Sequence, residues 1–223
     1  MIVLVCLHAS AQISHPSLRC TIPATRPGDF DDEIQPNSAQ EAKQLAQSPH
    51  GAQRLSKHLL EVHWAGGVRR FHDEKPYEPL AGVRWFYCAY DPQTKMHLIG
   101  KDDSDVFTGV LLNDQTGELL PGGEEVSFSP NSALYLASEQ PDGQDGPTLK
   151  VFRMDGQPVW KGYGRILESN GSGVAAELIS VQWNAQNQTV MEVALPDGKH
   201  QLETLTREGD RWEWLPRIAE QTR

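Results

Sequence analysis

The chain has 223 residues, 38% of them hydrophobic, and a formal net charge of −10. That length is enough for one generous domain or two small ones with a real core. No internal run approaches the roughly 18 apolar residues of a membrane-spanning helix, and beyond Arg69-Arg70 no basic cluster stands out, which argues against a nucleic-acid partner.

Residues 1–11, MIVLVCLHASA, open with an apolar run and close on Ala9-Ser10-Ala11. This small-x-small ending predicts a signal peptide cut before Gln12, hence a periplasmic or secreted protein with no membrane insertion after cleavage. The run is short and has no Lys or Arg at its start, so a mis-assigned start or a buried first strand is the competing reading. Cys6 lacks the small residue that a lipobox places before its cysteine. With Cys6 removed, Cys20 and Cys88 remain, and in an exported chain such an even pair either closes one disulfide or leaves two thiols.

Residues 12–36 are rich in Pro and polar side chains without a period, and predict an extended arm. Residues 37–60 have helix-forming composition. Ser38 and Glu41 make a capping box for a helix from about Ala39 to Ala46, and Pro49 predicts a second helix from His50 to Leu60 with Leu55, Leu59 and Leu60 inward.

From residue 61 to 223 the texture changes to short runs of Val, Trp, Tyr, Phe and Leu parted by Gly, Asn, Asp and Pro, the chemistry of strands and turns. Gly66-Gly67 between two apolar runs is a hairpin signal resting on positive φ at both residues. Three stretches then share one plan: AYDPQTKMHLIG around Tyr90, SFSPNSALYLAS around Phe128, and VQWNAQNQTVMEV around Trp183. An aromatic ends a strand, Asp91, Ser129 or Asn184 caps a turn with its side-chain oxygen, and the chain returns. Downstream each has a second hairpin around Gly117, Gly156 or Gly209, at separations of 27, 28 and 26 residues from the aromatic. Constant spacing predicts three four-stranded units, at about 83–123, 124–162 and 177–216.

SFSPNSALYLAS resembles the blade repeats of β-propellers of the WD40 and TolB type, although the Trp-Asp and Gly-His signatures are absent. The resemblance covers roughly 83–216. It implies a mainly β fold of three to four blade-like antiparallel sheets, an incomplete propeller, behind the short N-terminal helical segment. Residues around LEVHWAGGVRRFHDEKPYEP either supply part of a fourth sheet or leave an array of three. An ordinary antiparallel sandwich is the alternative.

Reactive groups are sparse. His50, His58, His63 and His72 lie close in sequence but in no metal-ligand spacing, so no metal or cofactor is expected. The acidic KDDSD run (Asp102, Asp103, Asp105) and PDGQDG (Asp142, Asp145) lack the spaced oxygens of a calcium loop and read as hairpin tips. Ser172 in NGSGV lacks the frame of a nucleophile elbow. Cys88 lies in an aromatic strand, and Glu124 and Glu125 point to opposite faces, so no catalytic residue is predicted. Asn170-Gly-Ser172 and Asn187-Gln-Thr189 are formal glycosylation sequons.

What remains is a scaffold that presents loops and aromatics. Trp212 and Trp214 share a strand face, with Trp160 in the equivalent strand of the preceding unit, as core or as interface anchors. The expectation is an exported, non-enzymatic protein-binding module. In type it is similar to periplasmic immunity proteins, which block a toxin or cell-wall hydrolase by loop insertion. The partner would be another protein with a basic surface, met by Asp102, Asp103, Asp105, Asp142, Asp145, Asn170 and Ser172. A secreted hydrolase with its site at the mouth of the sheets, or an envelope scaffold, are the competing classes.

Overall fold

The computed structural model describes residues 17–20, 39–77, 81–103, 106–139, 147–163, 177–195, 197–209 and 211–216. Among these residues the architecture is mainly β, with one short helix and four antiparallel sheets, none of them closed. The first sheet has three strands: β2 (Ala52–Ser56), β3 (Leu59–Trp64) and β4 (Gly67–His72). The second is β5 (Val83–Asp91), β6 (Met96–Asp103), β7 (Val106–Asn113) and β8 (Leu119–Pro121). The third runs β9 (Glu125–Phe128), β10 (Leu134–Glu139), β11 (Thr148–Arg153) and β12 (Pro158–Tyr163), and the fourth β13 (Glu177–Trp183), β14 (Thr189–Ala194), β15 (His200–Glu208) and β16 (Arg211–Leu215). Each sheet is a meander in which sequence neighbours pair. An extra two-residue strand, β1 (Leu18–Arg19), adds to the free edge of β9.

Burial patterns along the strands reveal the stacking order. In β6, Met96 to Gly100 are all buried, so both faces of the second sheet are covered. In β14 burial alternates with period two, and in β4 only Phe71 is buried, as expected of sheets with one covered face. Three apolar clusters fill the layers. Leu60, Val62 and Phe71 of the first sheet meet Tyr87, Ile99 and Leu112 of the second. Phe86, Met96, Leu98 and Leu111 on the opposite face of the second sheet meet Val126, Phe128, Tyr135 and Phe152 of the third. Leu136, Leu149 and Val151 then meet Leu205, Val181 and Trp183 of the fourth. Each wholly buried Leu or Ile in these layers contributes about 1.5–3 kcal/mol relative to exposure.

The turn chemistry follows from local sequence. Asp91 accepts the N–H groups of Gln93 and Thr94, both at 3.1 Å. Ser129 Oγ accepts that of Leu134 at 3.0 Å, and Asn184 Oδ1 those of Gln186 and Gln188 at 2.9 Å. Gly117, Gly156 and Gly209 all have positive φ, the left-handed conformation that favours glycine.

Two expectations are corrected. The first helix is present as α1 (Ala39–Leu45), but the second, expected from His50 to Leu60, is replaced by β2, a turn at Lys57-His58 and the start of β3. The Leu55, Leu59, Leu60 spacing suits a helix, yet tertiary pairing overrides it: Arg54 turns inward to Glu41 of α1, while Leu55 is left exposed. The β3–β4 hairpin exists, but Gly66 and Gly67 do not adopt positive φ. A Cβ at Gly66 would meet the Trp64 ring, so a larger residue there requires that ring to shift.

Cys20 and Cys88 form a disulfide, with their Cα atoms 4.7 Å apart, and so join the segment after β1 to the middle of β5. Both are buried. Among the described residues no helix is long and apolar enough to cross a membrane.

Candidate functional site: a tryptophan cleft

A meander places alternate connections at opposite ends of its strands, and this sorts the surface into two ends. The β9–β10, β11–β12, β13–β14 and β15–β16 turns share one end, where the Asn131 N–H donates across from the third sheet to Asn187 Oδ1 of the fourth at 2.9 Å. Between these sheets, at that end, lies a cavity of about 230 Å³. Its lining comprises the indoles of Trp160, Trp183 and Trp212, the aliphatic Leu134, Val151, Val159 and Leu205, and the polar Asn187, Gln188, Thr189, Thr206 and Arg207.

Strand periodicity aims these rings at one another. Trp212 and Trp214 are two residues apart on β16 and share a face, as the sequence predicted, and that face is the inward one. Trp214 packs edge-on against Trp160, centroids 5.7 Å apart and planes at 88°, a favoured aromatic geometry. Trp183 is held by its indole N–H, which donates to the Ser127 carbonyl at 3.1 Å. All four indoles are only partly buried, so they serve as core on one side and as cleft wall on the other. The Trp183 indole bond and the Asn131–Asn187 bridge both tie the fourth sheet to the third at this end.

The acidic residues expected to meet a partner are placed differently. Asp102 and Asp103 close β6, at the end of the array opposite the cleft. Asp102 pairs with Arg84 across the β5–β6 ladder, and Asp103 with Lys101 at 2.6 Å. Lys101 in turn lies 6.0 Å from the Trp85 ring centroid. Asp102 and Asp103 are therefore both paired within their own sheet, and the structure does not bring them to the cleft. Asp105, Asp142, Asp145, Asn170 and Ser172 lie outside the described residues.

Histidine chemistry is structural in a way the sequence spacing did not reveal. His50 Nε2 lies 3.1 Å from Asp114 Oδ2, His58 Nδ1 3.2 Å from Asp73 Oδ2, and His63 Nε2 3.0 Å from Glu61 Oε1. His97, wholly buried, bridges Asp114 Oδ1 at 3.0 Å and the Tyr87 hydroxyl at 2.9 Å. Burial lowers the His97 pKa, Asp114 opposing it, which favours a neutral ring that donates from Nε2 and accepts from Tyr87 at Nδ1. Burial likewise raises the Tyr87 hydroxyl pKa. Glu61 is held below the usual carboxylate range, first by the Arg70 hydrogen bond and then by that of Gln53. Among the described residues no three His, Cys, Asp or Glu side chains converge on a metal position.

Sequence reasoning missed His97, Asp73, Asp114 and the buried Glu41–Arg54 pair. Asp114 sits in NDQTGE, whose turn character hides its role, and only the long-range partners distinguish a pinned polar group from a hydrated one. Compared with known protein families, with curated proteins and with solved structures, the chain matches none.

Proposed function

We propose that the protein is an exported, non-enzymatic binding module that recognises another protein, most concretely an immunity or inhibitor protein acting on a toxin or cell-wall hydrolase. The observation that carries this reading is the size and lining of the tryptophan cleft. Pockets for drug-sized ligands and cofactors run from about 300 to 1,000 Å³. A cavity of about 230 Å³ with three indole walls suits a single large side chain projecting from a partner, and such anchor pockets concentrate binding energy in protein interfaces. Two further features agree with it. The Cys20–Cys88 disulfide suits an oxidising compartment, and a net charge of −10 favours encounter with a basic partner.

The test is a calorimetric titration of the purified chain with the product of the adjoining gene, since a gene for immunity adjoins that of its toxin. Trp160→Ala and Trp212→Ala are expected each to weaken binding at least about tenfold, with circular dichroism unchanged. Absence of binding, or full affinity in the double variant, would overturn the reading.

A further inference from the structure

Among the described residues, the layered array ends on two faces that no further sheet covers. The first sheet covers the second with Leu60, Val62 and Phe71, and by alternation turns His63, Val68 and Arg70 outward around Glu61, which its neighbours Gln53, His63 and Arg70 leave only 5% exposed. The fourth sheet covers the third with Leu205 and Val181, and turns Glu192 and Leu202 outward. Seven large hydrophobic residues are exposed among the described ones, and four of them belong to these two end sheets: Leu55 and Val68, each 46% exposed, on the first, and Ile179 at 46% and Leu202 at 61% on the fourth. Leu202 is the most exposed of all seven. Val68 and Leu202 lie on the outward faces, and Leu55 and Ile179 at the register shifts of β2 and β13.

We propose that a second copy of this chain covers both, the fourth sheet of each protomer packing on the first sheet of the other to close a two-fold ring of eight sheets. Three arguments fix the occupant. The first is number: radial sheet assemblies close with about four to eight sheets, this chain supplies four that stay open, and two copies reach the upper bound while three exceed it. The second is charge: in a chain of net charge −10 like surfaces repel, but on the first sheet Arg70 pairs with Glu61, and on the fourth Glu192 is engaged by His200, whose Nδ1 lies 2.7 Å from Oε1. The third is area. Three or four strands about 4.8 Å apart and about 20 Å long present a face of about 300–400 Å². The ring joins four such faces, about 1,200–1,600 Å² in all, within the range of stable specific interfaces. The contact is self-complementary: the fourth sheet meets the first, and by symmetry the first meets the fourth.

Sedimentation of the full chain, with signal-peptide status fixed by mass spectrometry, tests this. The expected species has twice the mass of one chain, and Leu202→Asp and Val68→Asp each convert it to monomer with unchanged circular dichroism, whereas Leu119→Asp, at the edge of the second sheet, stays dimeric. In chains that also carry Cys6→Ser, a short bis-maleimide is expected to join Leu202→Cys chains to Val68→Cys chains when the two are mixed, and to leave Leu202→Cys alone unlinked, the native disulfide being retained. A monomeric wild type, a larger oligomer, or linkage of Leu202→Cys to itself would each overturn the proposal.

Discussion

Replacing both Cys20 and Cys88 with Ser asks what holds the N-terminal segment in the array. The two residues are separated by 68 positions, and closing a loop of that length removes about 4.4 kcal/mol of denatured-state entropy at 25 °C in the chain-entropy treatment, an upper figure because native strain and residual structure reduce it. The segment also makes direct contacts: Leu18 is buried among Phe86, Val126 and Phe128, and the Cys20 N–H donates to the Glu124 carbonyl at 2.9 Å. Urea unfolding of the oxidised chain and of the double variant is expected to differ by about 2–4 kcal/mol. Kinetics separate the two contributions. If the bond acts on the denatured state, the variant refolds more slowly at nearly unchanged unfolding rate; if it acts by holding β1 against β9, unfolding accelerates. A difference below about 1 kcal/mol would refute the reasoning, since it would mean that neither loop closure nor strand docking contributes.

Two other perturbations probe the polar interior. Arg54 and Glu41 form a buried pair in which Glu41 Oε1 also accepts the Tyr87 N–H at 2.9 Å, so Arg54→Leu is expected to cost about 3–5 kcal/mol in urea unfolding, and Arg54→Leu with Glu41→Leu less than the sum of the single variants. Glu203 is almost wholly buried beside Met191, and burial raises its pKa above the usual 4.5 against the opposing Gln201 hydrogen bond. Its native state therefore holds a proton that the unfolded chain has released, so stability falls as pH rises from about 4.5 through the folded pKa. Glu203→Gln is expected to raise the urea midpoint at pH 7.5 and to leave it unchanged at pH 4; equal effects at both would count against a titrating carboxyl.

What could be read from the sequence divides by the range of the interactions. Asp91, Ser129 and Asn184 bond to backbone groups within five residues of themselves, so their turns are written locally and repeat visibly. The glycines at 117, 156 and 209 mark the second hairpin of each unit for the same reason, as their left-handed φ is a property of the turn alone. The strand at Ala52–Ser56 has no such mark. Its leucine spacing is helical, and it becomes a strand because Arg54 finds Glu41 and because β3 offers a ladder. His97 and Asp114 are likewise 17 positions apart, a pairing that spacing rules for metal or catalytic motifs do not cover.

The same distinction explains why the tryptophans were legible as a group and the acidic loops misleading. Alternation along β16 places Trp212 and Trp214 on one face whatever surrounds them, and the repeat puts Trp160 in the matching strand of the preceding unit; that these rings then face one another comes from the stacking of the fourth sheet on the third. An acidic run carries no such geometry. Whether Asp102 presents its charge or spends it depends on the residue across the ladder, and that residue is Arg84, 18 positions away. In a meander, side chains whose direction is fixed by strand period are therefore better guides to a binding surface than charge runs at strand ends. By that criterion the end of the array bearing the cleft, with its aromatic walls and bridged turns, is where a partner is to be sought first.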